Sequence, residues 1–228
     1  MIDYRGWRHT FKLDPDKEID DEALEAICDS GTDAIIVGGT YGVTFDNTLA
    51  LMSRIRRYAV DAVLEISSLE AVVPGFDAYF VPLVLNAGDP DWTFAPHVSG
   101  LLAYGSYIHW DEIIAEGYLV ANPEAGVARL TKARPIPDAA TAKAYAQVAT
   151  HICRLPVVYL EYSGTYGDPE VARACKAGAA EAHFFYGGGI RTPEQAAEMA
   201  AIADTVVVGN LVYEDVKAAL ATVAAVKG

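Results

Sequence analysis

The chain has 228 residues, of which 52% are hydrophobic and 21% charged, with 17 Lys and Arg against 31 Asp and Glu and a formal net charge of −14. So much apolar side chain excludes intrinsic disorder, and an acidic chain with no Lys/Arg run excludes nucleic acid, because it lacks the cations that neutralise a phosphate backbone. Any anion must therefore be captured locally, and with no break in composition the expectation is a single domain, residues 1–228.

Cys28, Cys153 and Cys175 are widely spaced, with no C-x-x-C among them, so neither a zinc site nor a disulfide framework is expected, only buried thiols in a reducing cytosol. The start, Met1 to Trp7, has no apolar stretch behind basic residues, and no later run reaches about 18 uninterrupted apolar residues. The expected setting is cytoplasmic, with lipid met peripherally or through a substrate tail.

In chain order, β-branched and aromatic runs predict strands at residues 9–13, 34–37, 62–66, 78–82, 118–121, 157–161, 183–186 and 205–208. Helical periodicity predicts helices at 21–28, 44–57, 91–104, 139–152, 169–177, 193–200 and 212–223. Alternation of this kind builds a parallel sheet, and about eight strands suggest a closed barrel. Residues 67–77, broken by Pro74 and Gly75, are too short for a crossover helix and predict an irregular third unit. Residues 121–138 read as a long loop.

Glycine gathers after the strand candidates, at Gly38-Gly39, Ser163-Gly164, Gly187-Gly188-Gly189 and Gly209-Asn210. Two of these turns, after the seventh and eighth strands, each read as opening a helix, where close backbone approach and helix-start N–H groups suit a phosphate. Simple turn formation would use the same glycines. Tyr159 and Glu161, two apart on one strand, share a face at its C-terminal end, where a carboxylate can orient or deprotonate a substrate hydroxyl and a phenol can donate to the same group. The same pair would also serve as a core tyrosine and an ion-paired glutamate. Lys12 and Asp14 have the same spacing, Lys12 as counter-charge to a phosphate, and Asp14 with the Thr40 hydroxyl as oxygen ligands for Mg²⁺. Taken singly, Asp14 suits a turn before Pro15 and Thr40 suits a helix cap. His9, His97, His109, His151 and His183 show no ligand spacing and read as packing or surface residues, and the aromatics Tyr79, Phe80, Trp92, Phe94, Tyr104, Tyr107 and Trp110 suit either a core or a groove wall.

With these residues in hand, the chain resembles the geranylgeranylglyceryl phosphate synthase family, most closely its bacterial heptaprenylglyceryl phosphate synthase branch. The likeness is carried almost end to end by Trp7-Arg8-His9-Thr10-Phe11-Lys12-Leu13-Asp14-Pro15, Ser30-Gly31-Thr32-Asp33 through Gly38-Gly39-Thr40, Val73-Pro74-Gly75-Phe76-Asp77, Glu116-Gly117-Tyr118 with Ala121-Asn122-Pro123, Tyr159 through Gly164, Tyr186-Gly187-Gly188-Gly189-Ile190 and Val208-Gly209-Asn210. The resemblance implies an α/β fold, a modified TIM (β/α)8 barrel whose third helix is replaced by an irregular segment. It implies Mg²⁺-dependent transfer of a polyprenyl group from its diphosphate to the 3-hydroxyl of sn-glycerol 1-phosphate, with Lys12, Tyr159, Leu160, Glu161, Tyr162, Ser163, Gly164, Gly189, Gly209 and Asn210 on the glycerol phosphate and Asp14 and Thr40 on the metal. Thr40 keeps the hydroxyl where close relatives carry Ser. Glu161, with Tyr159, is the expected catalytic group.

The resemblance also places Pro96 to Leu102 where the prenyl groove ends, and Gly100, lacking a side chain, leaves the floor open for a heptaprenyl chain. A homodimer and transient membrane contact are further implications. The rivals are a geranylgeranyl donor; a phosphosugar isomerase or lyase, which needs a paired acid and base or a buried Schiff-base lysine, for which Lys12 is the one candidate; and a non-catalytic phosphate-binding barrel, which has no reason for Asp14, Thr40 and Glu161 to converge.

Overall fold

Runs rich in Val, Ile, Phe and Tyr satisfy their backbone groups by pairing in parallel, and here the pairing closes. The computed structural model describes residues 2–228. Its strands are β1 (His9–Leu13), β2 (Ala34–Val37), β3 (Asp61–Glu65), β4 (Ala78–Val84), β5 (Ile113–Val120), β6 (Val157–Glu161), β7 (His183–Gly187) and β8 (Thr205–Val208), joined in sequential order into a closed barrel. The last pairing, Thr10 opposite Val207, returns β8 to β1 and leaves no edge.

The helices are α1 (Asp21–Cys28), α2 (Phe45–Ile55), α3 (Ala95–Tyr104), α4 (Gly126–Thr131), α5 (Ala139–Gln147), α6 (Pro169–Ala179), α7 (Pro193–Ala200), α8 (Leu211–Glu214) and α9 (Val216–Lys227). Between β3 and β4 there is only a 3₁₀ turn at Leu69–Ala71, so the expected irregular third unit is present. Several elements depart from expectation for local reasons. Thr44 stands outside α2 as its cap, sharing reciprocal hydrogen bonds with Asn47. Residues 91–104 divide into a 3₁₀ turn, Pro90–Trp92, and α3, because Pro96 has no N–H to give and sits in a first turn. The helix expected over 139–152 ends in a π-helical turn at Val148–Ile152, and that over 212–223 is cut by the extended Asp215, whose side chain accepts from Ala218 N–H to start α9. The loop over 121–138 contains α4. β5 starts five residues before its expected position, because six register pairs with β4, Tyr79 with Ile113 through Val84 with Tyr118, hold Glu116 and Gly117 in a strand that neither favours alone.

Alternation along the strands makes two apolar layers. Val63, Phe80, Ile114, Tyr159, Phe185 and Val207 face the lumen, closed below by Trp7, while Phe11, Ile35, Leu64, Leu160, Phe184 and Val208 face the helices. Cys28 and Cys175 are buried as expected, and Cys153 is half-buried, at the end of the π turn rather than on a core face.

Two histidines are packing residues held neutral. His9 bridges Thr32 and Thr222 at 2.9 Å each, and burial lowers its pKa to about 3; His183 meets the Thr205 hydroxyl at 2.7 Å and is lowered, again by burial, to about 4. Because both folded values lie below the unfolded value of 6.5, their contribution is complete above that pH and is lost on acidification. Each group is expected to cost about 2 kcal/mol of stability by about pH 5, so the urea midpoint should fall between pH 7 and pH 5. A midpoint unchanged over that interval would contradict neutral burial.

Candidate active site

The same alternation that gives the lumen its apolar lower layers gives it a polar upper one. Lys12 from β1, Glu65 from β3, Glu116 and Tyr118 from β5, and Tyr159 and Glu161 from β6 all occupy inward positions. Lys12 Nζ lies 2.6 Å from Glu65 Oε1 and 3.9 Å from Glu161 Oε2. Glu161 accepts from Tyr118 OH at 2.9 Å on one oxygen and from Ser163 Oγ at 2.7 Å on the other, which fixes its plane. Tyr118 and Tyr159 stack with ring centroids 4.8 Å apart, and Lys12 Nζ stands 5.5 Å from the Tyr159 ring centre.

Burial shapes the titration of this cluster. It pushes the Glu116 carboxyl well above the usual carboxylate range, with the neighbouring charge of Glu65 adding to the effect. Glu65 is raised for the same first reason, against the opposing pull of Lys12. Burial alone would lower Lys12, but the carboxylates of Glu65 and Glu161 outweigh it and keep the ammonium protonated.

A cavity of about 1110 Å³ takes in Lys12, Glu65, Tyr118, Tyr159 and Glu161, though not Glu116, and the loops above them. It then leaves the barrel mouth and runs down the outside of the sheet, between Tyr79, Val81, Ile113 and Ala115 on β4 and β5 and Pro96, Gly100 and Tyr104 on α3. One end is thus polar and rimmed by glycine, the other apolar. Lys12, Asp14, Thr40, Tyr159, Glu161, Ser163, Gly164, Gly189, Gly209, Asn210 and Gly100 all line it. Gly188 and Gly189 adopt φ of 144° and 57°, and a Cβ at Gly189 would strike the backbone of Thr165 and Tyr166, so only glycine fits that wall. Gly187 is required differently: its missing side chain makes room for the Tyr159 hydroxyl.

Some expectations change. Leu160 and Tyr162 do not line the cavity; alternation turns the Leu160 side chain into the outer core, and the Tyr162 ring packs against Tyr186 at 6.2 Å. Glu161 also receives a hydroxyl that spacing did not predict, that of Tyr118. α7 begins at Pro193, after Ile190, Arg191 and Thr192, so the first glycine turn presents loop N–H groups in place of a helix start. Of the aromatics left open above, Phe80 is core while Tyr79, Trp92, Tyr104, Tyr107 and Trp110 line the groove.

Lys17, Glu65, Tyr118 and Arg191 are not among the site residues expected from sequence, yet all four line the cavity. Lys17 Nζ donates to Asn210 Oδ1 at 2.8 Å, adding a second cation at the mouth. Glu65 carried a usable signal, a carboxylate ending an otherwise apolar strand in phase with its inward residues.

A model of the PcrB family matches residues 2–227. The chain belongs to the PcrB family. Over its full length it is 83% identical to the heptaprenylglyceryl phosphate synthase of Brevibacillus brevis, covering 99% of that protein, and 55% identical to the one of Geobacillus kaustophilus, covering 95% of it. Among solved structures, it superposes on (S)-3-O-geranylgeranylglyceryl phosphate synthase of Thermoplasma acidophilum, crystallised with sn-glycerol-1-phosphate, with a TM-score of 0.86 and 29% identity over 97% of this chain and 94% of that one. Tryptophan synthase of M. tuberculosis, at 18% identity and a TM-score of 0.57 over 98% of this chain and 94% of that one, shares the fold alone. For this PcrB family member, the polar mouth and the outer groove therefore sit on a barrel of established ancestry.

Proposed function

We propose that the protein transfers the heptaprenyl group of heptaprenyl diphosphate to the 3-hydroxyl of sn-glycerol 1-phosphate, giving an ether and pyrophosphate, in the cytoplasm and as a homodimer. The observation that carries this reading is the end-to-end likeness to heptaprenylglyceryl phosphate synthases, on a cavity that joins a polar, glycine-rimmed mouth to an apolar groove. The likeness to a geranylgeranylglyceryl phosphate synthase supports a second reading with a shorter donor. Pyrophosphate release across donors from geranyl to heptaprenyl separates the two: a maximum at heptaprenyl supports the first, a maximum at geranylgeranyl the second, and release with sn-glycerol 3-phosphate as good as with the 1-phosphate would count against both.

The chain's own groups suit the chemistry. The glycerol phosphate sits among Gly164, Gly189, Gly209 and Asn210, with Lys12 and Lys17 supplying countercharge. The 3-hydroxyl oxygen bonds to C1 of the prenyl group as the C1–oxygen bond to diphosphate breaks, the leaving pyrophosphate taking the bonding pair. The hydroxyl proton passes to Glu161, whose carboxylate Tyr118 and Ser163 hold in one orientation. Cationic character at C1 is met by the face of Tyr118 turned away from its stack on Tyr159.

Mg²⁺ fits the remaining residues. No group of three His, Cys, Asp or Glu converges as a metal cage among the described residues, which suits an ion held by few protein oxygens and shared with a substrate diphosphate. The Asp14 carboxylate lies against Gly39, where a Cβ would displace it, and anchors one oxygen on Asp16 N–H at 3.0 Å. Thr40 follows in the next loop and offers a hydroxyl to the same cavity. Bound there, the ion would neutralise charge growing on the leaving pyrophosphate. Asp14→Ala is expected to raise the half-activating Mg²⁺ concentration by roughly tenfold or more, the loss of a carboxylate ligand being worth at least one decade of affinity; an unchanged Mg²⁺ requirement would remove Asp14 from the metal.

No helix is long and apolar enough to cross a membrane among the described residues. Contact with a lipid surface fits the exposed Leu102 on α3 and, just beyond it, Tyr107 and Trp110 in the groove lining, 84%, 79% and 65% accessible.

A further inference from the structure

Three carboxylates share the upper lumen with one ammonium. Glu65 has Lys12 at 2.6 Å, and Glu161 has two hydroxyl donors. Glu116 has none: it is fully buried, and neither of its oxygens has a hydrogen-bond partner among the described residues. The groups that face it are Lys12 on β1, Glu65 on β3, Tyr118 on its own strand, and Tyr159 and Glu161 on β6; the inward His183 of β7 is engaged with Thr205. The inward residues of β2, β4 and β8 carry no titratable side chain. Lys12 is the one cation of this set, and it is already shared between Glu65 and Glu161.

An ionised carboxylate without a donor or a cation of its own, in a fully buried position, is the costliest state such a side chain can take, and a proton removes the cost. We propose that Glu116 stands as a neutral carboxylic acid in the resting protein and is a positioning residue for the transfer reaction. Its proton lowers the negative charge of the lumen, so that the anionic glycerol phosphate is admitted. With all three carboxylates charged, two would be left without a cation of their own, repelling the phosphate and drawing the Lys12 ammonium deeper into the lumen. The direction in which burial moves the Glu116 carboxyl agrees with this assignment. The assignment rests on the proposed transfer reaction only for its consequence; the protonation state stands apart from it.

The test therefore has two arms. In the first, infrared spectra of the substrate-free protein are recorded across a pH titration. The protonated-carboxyl carbonyl band present at neutral pH should bleach at alkaline pH in the native chain, and that alkaline-bleaching component should be missing from Glu116→Gln. A native spectrum without that component, or a Glu116→Gln variant that retains it, overturns the proposal whether or not the protein turns over. In the second, steady-state kinetics are compared for native, Glu116→Gln and Glu116→Met chains. The native KM for sn-glycerol 1-phosphate should rise about tenfold at alkaline pH as Glu116 ionises, and the KM of both variants should stay flat over the same range. A merely structural role would not remove that alkaline rise. A folded Glu116→Gln chain that loses about a hundredfold in kcat/KM at neutral pH would show that the ionised form is required and would overturn the assignment.

Discussion

Gly100→Trp is expected to cut kcat/KM for heptaprenyl diphosphate by about a hundredfold while leaving geranylgeranyl diphosphate within several-fold of its native value. Gly100 lies on α3 where that helix faces the 3₁₀ turn of the irregular third unit, and a Cβ there would already stand 3.2 Å from Leu69 Cδ2. An indole would extend past that contact and close the groove below it. Burial is worth roughly 0.8 kcal/mol per CH₂, so an isoprene unit of about five carbons carries on the order of 3 kcal/mol, about two decades in kcat/KM. Only chains that reach beyond the new barrier lose that energy. A competition assay with mixed donors reads the ratio directly, and a chain-length preference unchanged by the substitution would place the end of the groove elsewhere.

Glu161→Gln is the second large effect. The amide keeps one acceptor and nearly the same shape, but it cannot take the hydroxyl proton, and general-base assistance contributes about 10²–10⁴ in rate. The expected result is a kcat lower by that factor, with KM for sn-glycerol 1-phosphate moved only a few-fold, because the phosphate end is held by the glycine loops and by Lys12 and Lys17. Circular dichroism confirms the fold of the variant, the barrel being closed by backbone pairs that the change leaves untouched. A kcat within tenfold of native would reduce Glu161 to an orienting role, leaving the proton to another acceptor such as the departing pyrophosphate.

The strand pattern was legible because inward and outward residues alternate without interruption: β1, β2, β6 and β8 stand where their β-branched and aromatic runs predict. β5 was half hidden, since Glu116 and Gly117 oppose strand formation locally and only pairing with β4 holds them. The catalytic layer was legible in the same partial way. Glu161, Lys12 and Asp14 stand at or next to strand ends, within three residues of a glycine or proline, a local signature, whereas Glu65 and Tyr118 join the site through the closure of the barrel, which brings β1, β3, β5 and β6 around one axis. No one-dimensional spacing reports that meeting. The family likeness carried Leu160 and Tyr162 into the phosphate site as neighbours of Glu161, and alternation took their side chains out of it.

The two walls of the groove are not equally firm. β4 and β5 form one wall, tied by six register pairs, while α3, the other, buries none of its residues. A helix with so little anchorage can be pushed outward at small cost, whereas the sheet cannot. Donor length is then measured by a caliper with one fixed jaw and one sprung jaw, and such an instrument grades its objects instead of rejecting them: rates should fall by steps along a series of isoprenologues, with no length at which turnover stops outright.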